Sequence, residues 1–212
     1  MPRCVIVSAC PVSPGLAALL RPDDFLIACD AGYTNCERLG IRPNLVVGDF
    51  DSAPRPSQTE NEGLVVLPHV KDDTDTEYAA HLAAEKGFPE VLMLGALGGR
   101  RLEHTLANLC TGLGLERRGV RAALVDERTR ITYVLPGETR LYPREAYFYV
   151  SVFPLEGRAA GVTLRGAFYE LTDAELTVGY PLGVSNEYAP GSDSISISVR
   201  EGALLVVETL AD

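Results

Sequence analysis

A change of hydrophobic period part-way along the chain constrains the fold more than any other feature. Up to about residue 126, short and nearly unbroken apolar runs alternate with longer amphipathic stretches. From about Arg130 the pattern changes to period two, with alternation in Y-F-Y-V-S-V-F, in S-I-S-I-S-V and in A-L-L-V-V-E. A strand that is apolar at every position is buried on both faces, which happens in a parallel sheet covered by helices. A strand that alternates is buried on one face, as in antiparallel sheets stacked on each other.

The first part predicts strands at Cys4 to Ser8, Phe25 to Cys29, Leu45 to Val47, Leu64 to Leu67, Val91 to Leu94 and Ala122 to Val125. Helices are expected over Tyr33 to Leu39, Asp75 to Lys86 and Leu102 to Arg118. In the second part turn residues recur between the alternating runs, at Pro136-Gly137, Glu156-Gly157 and Pro190-Gly191. The expected fold is an α/β N-terminal domain with a mostly parallel, Rossmann-like sheet, followed by an all-β sandwich. The domains are placed at residues 1–130 and 131–212, with the boundary somewhere in 126–136.

Composition excludes several functions. The formal net charge of −10 over 212 residues is the opposite of the basic face that a nucleic-acid binder needs. No stretch approaches the roughly 18 to 20 apolar residues of a membrane span, so a cytoplasmic protein with no membrane partner is expected. The five cysteines are odd in number and form no C-x-x-C pair, so neither a disulfide framework nor a zinc site is expected.

Carboxylates cluster where strands end. Asp30 follows L-I-A-C, and Asp49 and Asp51 follow L-V-V-G with only Phe50 between them. In open α/β sheets ligands bind beyond the carboxyl ends of strands, so these acids should converge on one edge. Two carboxylates held close raise each other's pKa unless a cation shares them, and hard oxygen donors suit Mg²⁺. A second cluster is K-D-D-T-D-T-E, residues 71–77. Thr74 to Glu77 fits a capping box that opens a helix; alternatively Lys71 contacts a phosphate while Asp72 and Asp75 complete the metal's shell. A third segment, G-A-L-G-G-R-R-L-E-H-T-L-A-N-L over residues 95–109, follows the next strand. Glycines there let backbone approach a ligand, and Arg100, Arg101 and His104 either add charge and donors for phosphate or lie solvated on the surface.

The ordered set D-A-G-Y, G-D-F-D-S, K-D-D-T-D-T-E, G-A-L-G-G-R and H-T-L-A-N-L resembles thiamine pyrophosphokinase, and the likeness continues at V-T-L-R-G-A-F-Y-E-L and G-V-S-N-E-Y. The family transfers the diphosphate of ATP to thiamine, giving thiamine diphosphate and AMP, as a homodimer with its active site between subunits. The resemblance implies Mg²⁺ ligation by Asp49, Asp51, Asp72 and Asp75, and catalytic roles for Asp51, Asp75, Arg101 and His104. It implies ATP or thiamine contacts by Asp30, Lys71, Thr74, Gly98, Gly99, Arg100 and Asn108. Where the family usually has Arg, one residue, Asp-His, this chain reads Arg101, Leu102, Glu103, His104, and either Arg100 or Arg101 is the functional arginine. The resemblance places thiamine near Ser185 and Asn186. Because the chain has no Trp, Phe168 or Tyr169 would supply the aromatic contact. Two rivals remain at this point: a diphosphokinase acting on another hydroxymethyl heterocycle such as a pterin, and a nucleotide-binding regulator without catalysis.

Overall fold

The computed structural model describes residues 2–48, 63–66 and 73–211. The chain divides into two compact units, Met1–Glu127 and Arg128–Asp212.

In the first unit six strands among the described residues pair parallel with one another. They are β1 (Cys4–Val7), β2 (Phe25–Cys29), β3 (Leu45–Gly48), β4 (Gly63–Val66), β5 (Glu90–Leu94) and β6 (Arg121–Val125). Their order in space is β6-β5-β1-β2-β3-β4, so the winding direction reverses between β1 and β5. α1 (Gly32–Leu39) and a 3₁₀ helix (Pro14–Leu19) lie to one side, where Leu16, Cys36 and Leu39 pack with Val5, Val7, Ala28, Val46, Leu92 and Leu94. α2 (Asp75–Glu85) lies against β1 and β2, and α3 (Leu102–Arg117) against β6 and α2. Each fully buried aliphatic side chain contributes about 1.5–3 kcal/mol, and Ile6, Ile27, Met93, Leu94 and Leu124 are all in this class. The 3₁₀ helix was not expected from the sequence, because six residues carrying a proline and a glycine show no helical period.

Local chemistry sets the helix ends. Gly40 at φ +68° closes α1 with a left-handed cap, which explains why the periodic pattern stops at Leu39. Thr74 opens α2 by accepting a hydrogen bond from the backbone N–H of Glu77 at 3.1 Å. This is one half of the expected capping box. The Glu77 carboxylate instead accepts from Thr111 on α3 at 2.6 Å and meets His81 Nε2 at 3.2 Å, tying the two helices together.

The strands of the second unit pair antiparallel in two sets. β7 (Thr129–Val134), β9 (Tyr149–Pro154), β12 (Asn186–Glu187) and β14 (Leu204–Thr209) form one, in the order β12-β9-β14-β7. β8 (Thr139–Pro143), β10 (Arg158–Arg165), β11 (Leu171–Thr177) and β13 (Ser194–Ser198) form the other, in the order β11-β10-β13-β8. Val134, Val150, Val152, Leu204 and Val206 from the first sheet pack with Val162, Leu164, Leu176, Ile195 and Ile197 from the second, which makes the unit a sandwich. Gly137, Gly157 and Gly191 all lie near φ +80° in its turns.

Candidate active site

The point where the sheet reverses direction sets the geometry of the first unit. The segments leaving β1 and β5 run side by side there, with Ser8 N–H donating to Leu94 O at 2.8 Å and Cys10 N–H to Gly95 O at 2.9 Å. A Cβ at Gly95 would sit 2.5 Å from Ser8 O, so only glycine permits this approach. Asn35 on α1 donates from its amide to Ser8 O at 2.7 Å and to Cys10 O at 2.8 Å, holding the loop after β1 over the strand ends. The Ser8 hydroxyl is hydrogen-bonded to that of Thr76 at 2.8 Å, bringing the first turn of α2 to the same edge.

Two of the predicted acids are thereby brought near one another. Asp30 follows β2 in the left-handed region at φ +47°, and its N–H donates to Val47 O at 2.8 Å. The main chain of Gly48 lies against it, for a Cβ there would be 3.2 Å from Asp30 Cα. Asp75 begins α2, and its carbonyl receives the Cys29 thiol at 3.5 Å, which joins the end of β2 to the start of that helix. Burial pushes the Cys29 thiol well above its ordinary range, and the nearby carboxylates of Asp75 and Asp30 push the same way. Asp49, Asp51, Lys71 and Asp72 lie outside the described residues. Among the described residues no three His, Cys, Asp or Glu side chains gather as a metal site. The donor chemistry of Asp30 and Asp75 nevertheless fits a hard cation such as Mg²⁺, because both residues carry carboxylate oxygens and the end of β2 meets the start of α2 there.

The glycine-rich loop and α3 form the other wall. Gly98 and Gly99 have φ of +75° and +80°, and Gly98 O accepts from the Cys10 thiol at 3.3 Å and from the Thr105 hydroxyl at 3.2 Å. Asn108, predicted as a ligand contact, is buried and donates from Nδ2 to Ala96 O at 2.8 Å, so it fixes this loop from beneath. Arg101 occupies the N-cap of α3 without a side-chain cap, and Arg100 precedes it, so cationic residues flank the positive end of the helix. That arrangement favours an anion. Arg101 Nε donates to Glu103 at 2.8 Å, and this bond holds the Glu103 carboxyl below its usual range. His104 lies half-buried in the same turn, its N–H donating to Arg101 O at 3.0 Å. Thr74 serves as the cap of α2 described above.

The remaining predicted residues meet in the second unit. Phe168 and Tyr169 are 56% and 69% exposed and make an edge-to-face pair, with ring centroids 4.9 Å apart. Their loop is closed by Glu170, whose carboxylate accepts from Gly166 N–H at 2.9 Å. Ser185 is exposed at φ +54°, its N–H donating to the Ser151 hydroxyl at 2.9 Å. Asn186 is buried, and its amide is bonded to the main chain of Tyr169.

Sequence patterns did not single out Ser8, Asn35, Thr76 or Glu170, which shape these two regions. Asn35 carried the one available signal, a helical asparagine on the turn that follows D-A-G-Y, but its partners are distant in sequence.

Comparison with known proteins follows the same division. The family model for the catalytic domain of thiamin pyrophosphokinase matches residues 16–124, and that for the vitamin B1 binding domain of thiamin pyrophosphokinase matches residues 138–204. The thiamine pyrophosphokinase of Bacillus subtilis strain 168 is 27% identical over 200 residues, covering 92% of each chain. Among solved structures, thiamin pyrophosphokinase from Geobacillus thermodenitrificans superimposes with a TM-score of 0.86 at 29% identity, over 100% of this chain and 98% of the other. The yeast thiamin pyrophosphokinase structure has a TM-score of 0.75 at 14% identity, covering 99% of this chain and 86% of its own, a likeness of fold.

Proposed function

The chain belongs to the thiamine pyrophosphokinase family, and from that premise we propose how its residues carry out diphosphate transfer from ATP to the hydroxyl of thiamine with release of AMP. The observation that carries the reading is the coincidence of two family matches, one per unit, with a sheet-edge acid set in the first unit and an aromatic face in the second.

Transfer of this kind demands mainly positioning and charge neutralisation. The first unit binds ATP. The loop of Gly98 and Gly99 and the start of α3 receive phosphate oxygens, and Arg101, oriented by Glu103, offsets negative charge on the transferred group together with Lys71 and Arg100. His104 and Asn108 support this wall, one on the first turn of α3 and the other through the loop backbone. Asp49, Asp51, Asp72 and Asp75 would hold Mg²⁺, and Asp30 would contribute to the nucleotide site. When bound, the ion supplies Lewis-acid neutralisation of the phosphates. Asp51 or Asp75 accepts the proton of the thiamine hydroxyl as it attacks the β-phosphorus; the bond from that phosphorus to the bridging oxygen breaks, and AMP departs.

The second unit binds thiamine. Ser185 offers a hydroxyl, Asn186 holds the neighbouring backbone, and the exposed rings of Phe168 and Tyr169 suit a cationic heterocycle. We place the enzyme in the cytoplasm as a homodimer with the active site between subunits. Exposed apolar side chains at Val178, Tyr180, Leu182 and Val184 support an interface. No helix among the described residues is long and apolar enough to cross a membrane.

The test is a coupled assay with thiamine, ATP and Mg²⁺ that measures AMP. Thiamine-dependent AMP release is expected; ATP binding without AMP, or a rate unaffected by thiamine, would overturn the reading.

A further inference from the structure

The amide of Asn186 is engaged with main chain on both its atoms. The residue is 5% exposed, and its side-chain polar atoms bond to main chain: Oδ1 accepts from Tyr169 N–H at 2.9 Å and Glu187 N–H at 3.0 Å, while Nδ2 donates to Tyr169 O at 2.7 Å. Two N–H groups on one amide atom and a carbonyl on the other also fix which atom is oxygen.

Neighbouring pairings explain why a side chain is needed here. Residues 166–168 run antiparallel to 187–189, with Ala189 N–H donating to Gly166 O at 2.9 Å, Phe168 N–H to Glu187 O at 2.7 Å, and a bridge between Ala167 and Tyr188. One step further, Tyr169 would face Asn186. The backbone of Asn186 is paired with Val150 on β9, and Ser185 before it turns away at φ +54°. The amide therefore substitutes for the missing strand, satisfying both the N–H and the C=O of Tyr169. The rest of the loop is equally constrained, because a Cβ at Gly166 would lie 2.3 Å from Ser194 O and Glu170 closes the turn.

We infer that Asn186 is a positioning residue: its amide clamps the main chain of Tyr169 and thereby presents the Phe168 and Tyr169 rings as a preformed face for a cationic aromatic ligand, without contacting that ligand. Holding the rings in advance removes an ordering cost that binding would otherwise carry. The identity of the ligand rests on the thiamine reading above, whereas the clamp does not.

The experiment uses the full-length protein and its Asn186→Ala and Asn186→Asp variants. The second keeps an acceptor but sets an oxygen against Tyr169 O. Hydrogen exchange is followed on peptides spanning 166–170, and KM for thiamine and for ATP is measured in each protein. Loss of the clamp is expected to speed exchange at the Tyr169 amide by about tenfold or more and to raise the thiamine KM by about tenfold, with the ATP KM changed less than about twofold. In a Phe168→Ala/Tyr169→Ala background, removing Asn186 should raise the thiamine KM by less than about twofold, because the two changes act through one element. Unchanged exchange at Tyr169, or effects on KM that multiply across the two backgrounds, would overturn the inference. If the unaltered protein fails to use thiamine, the function falls, and the exchange rates still decide whether the clamp exists.

Discussion

Arg130 and Glu208 stand opposite one another on β7 and β14, joined by two hydrogen bonds of 2.6 and 2.8 Å, with the Glu208 side chain wholly removed from solvent. Glu208 falls on the same face of β14 as the core residues Leu204 and Val206, a position where alternation calls for an apolar side chain. Arg130 also approaches Glu145 at 3.1 Å and stacks on the Tyr147 ring at 4.8 Å, and the hydrogen bonds it donates to Glu208 hold its guanidinium proton more tightly than usual.

Removing one partner leaves the other charge buried. Arg130→Met is therefore expected to lower unfolding free energy by about 3–5 kcal/mol in urea titrations, whereas Arg130→Met/Glu208→Leu recovers most of that loss. A single variant as stable as the parent would show that the pair contributes little.

Alkaline stability should follow the buried thiols. Burial, aided by Asp24, pushes Cys4 up to about 12. An unfolded thiol releases its proton near 8.5, so above that pH the unfolded chain binds fewer protons than the folded one. The stability contributed by Cys4 is thus complete below about pH 8.5 and declines as pH rises toward 12, at up to about 1.4 kcal/mol per pH unit. Cys29 acts in the same direction. Urea midpoints measured from pH 7 to pH 11 should fall, and Cys4→Val should flatten the slope; an unchanged slope in that variant would remove Cys4 as a cause.

Asp30→Asn and Asp75→Asn test the sheet-edge acids. Each is expected to lower kcat at least about a hundredfold. Stability should barely move for the first, and drop by about 0.3–1 kcal/mol for the second, which loses a favourable charge at the start of α2. Thiamine-dependent AMP release within twofold of the parent would take the altered residue out of the site.

The Arg101 and Glu103 pair separates the two arginines. Both side chains are about two-thirds exposed, so replacing either should change stability by less than about 1 kcal/mol. Arg101→Ala is expected to reduce kcat/KM for ATP by about tenfold or more, and Glu103→Gln by less, through loss of orientation. A larger loss from Arg100→Ala would reassign the phosphate contact to Arg100.

Local information determined much of this protein. The two periods predicted a parallel α/β fold followed by a sandwich, and the strand and helix limits agree within a residue or two wherever they are described, because alternation and helical repeat depend only on neighbours in the chain. Turn glycines and the Gly40 cap act over equally short range. The order of motifs carried the family.

Tertiary structure alone decided that β1 lies between β2 and β5, so that Ser8 and Gly95 meet although 87 positions separate them in sequence. It also decided that Glu77 serves Thr111, that Asn186 completes a strand for Tyr169, and that a glutamate at a core position is matched by Arg130. Each depends on which distant groups share a desolvated space. A polar side chain in an alternating pattern carries no mark of its partner until the chain has closed around it.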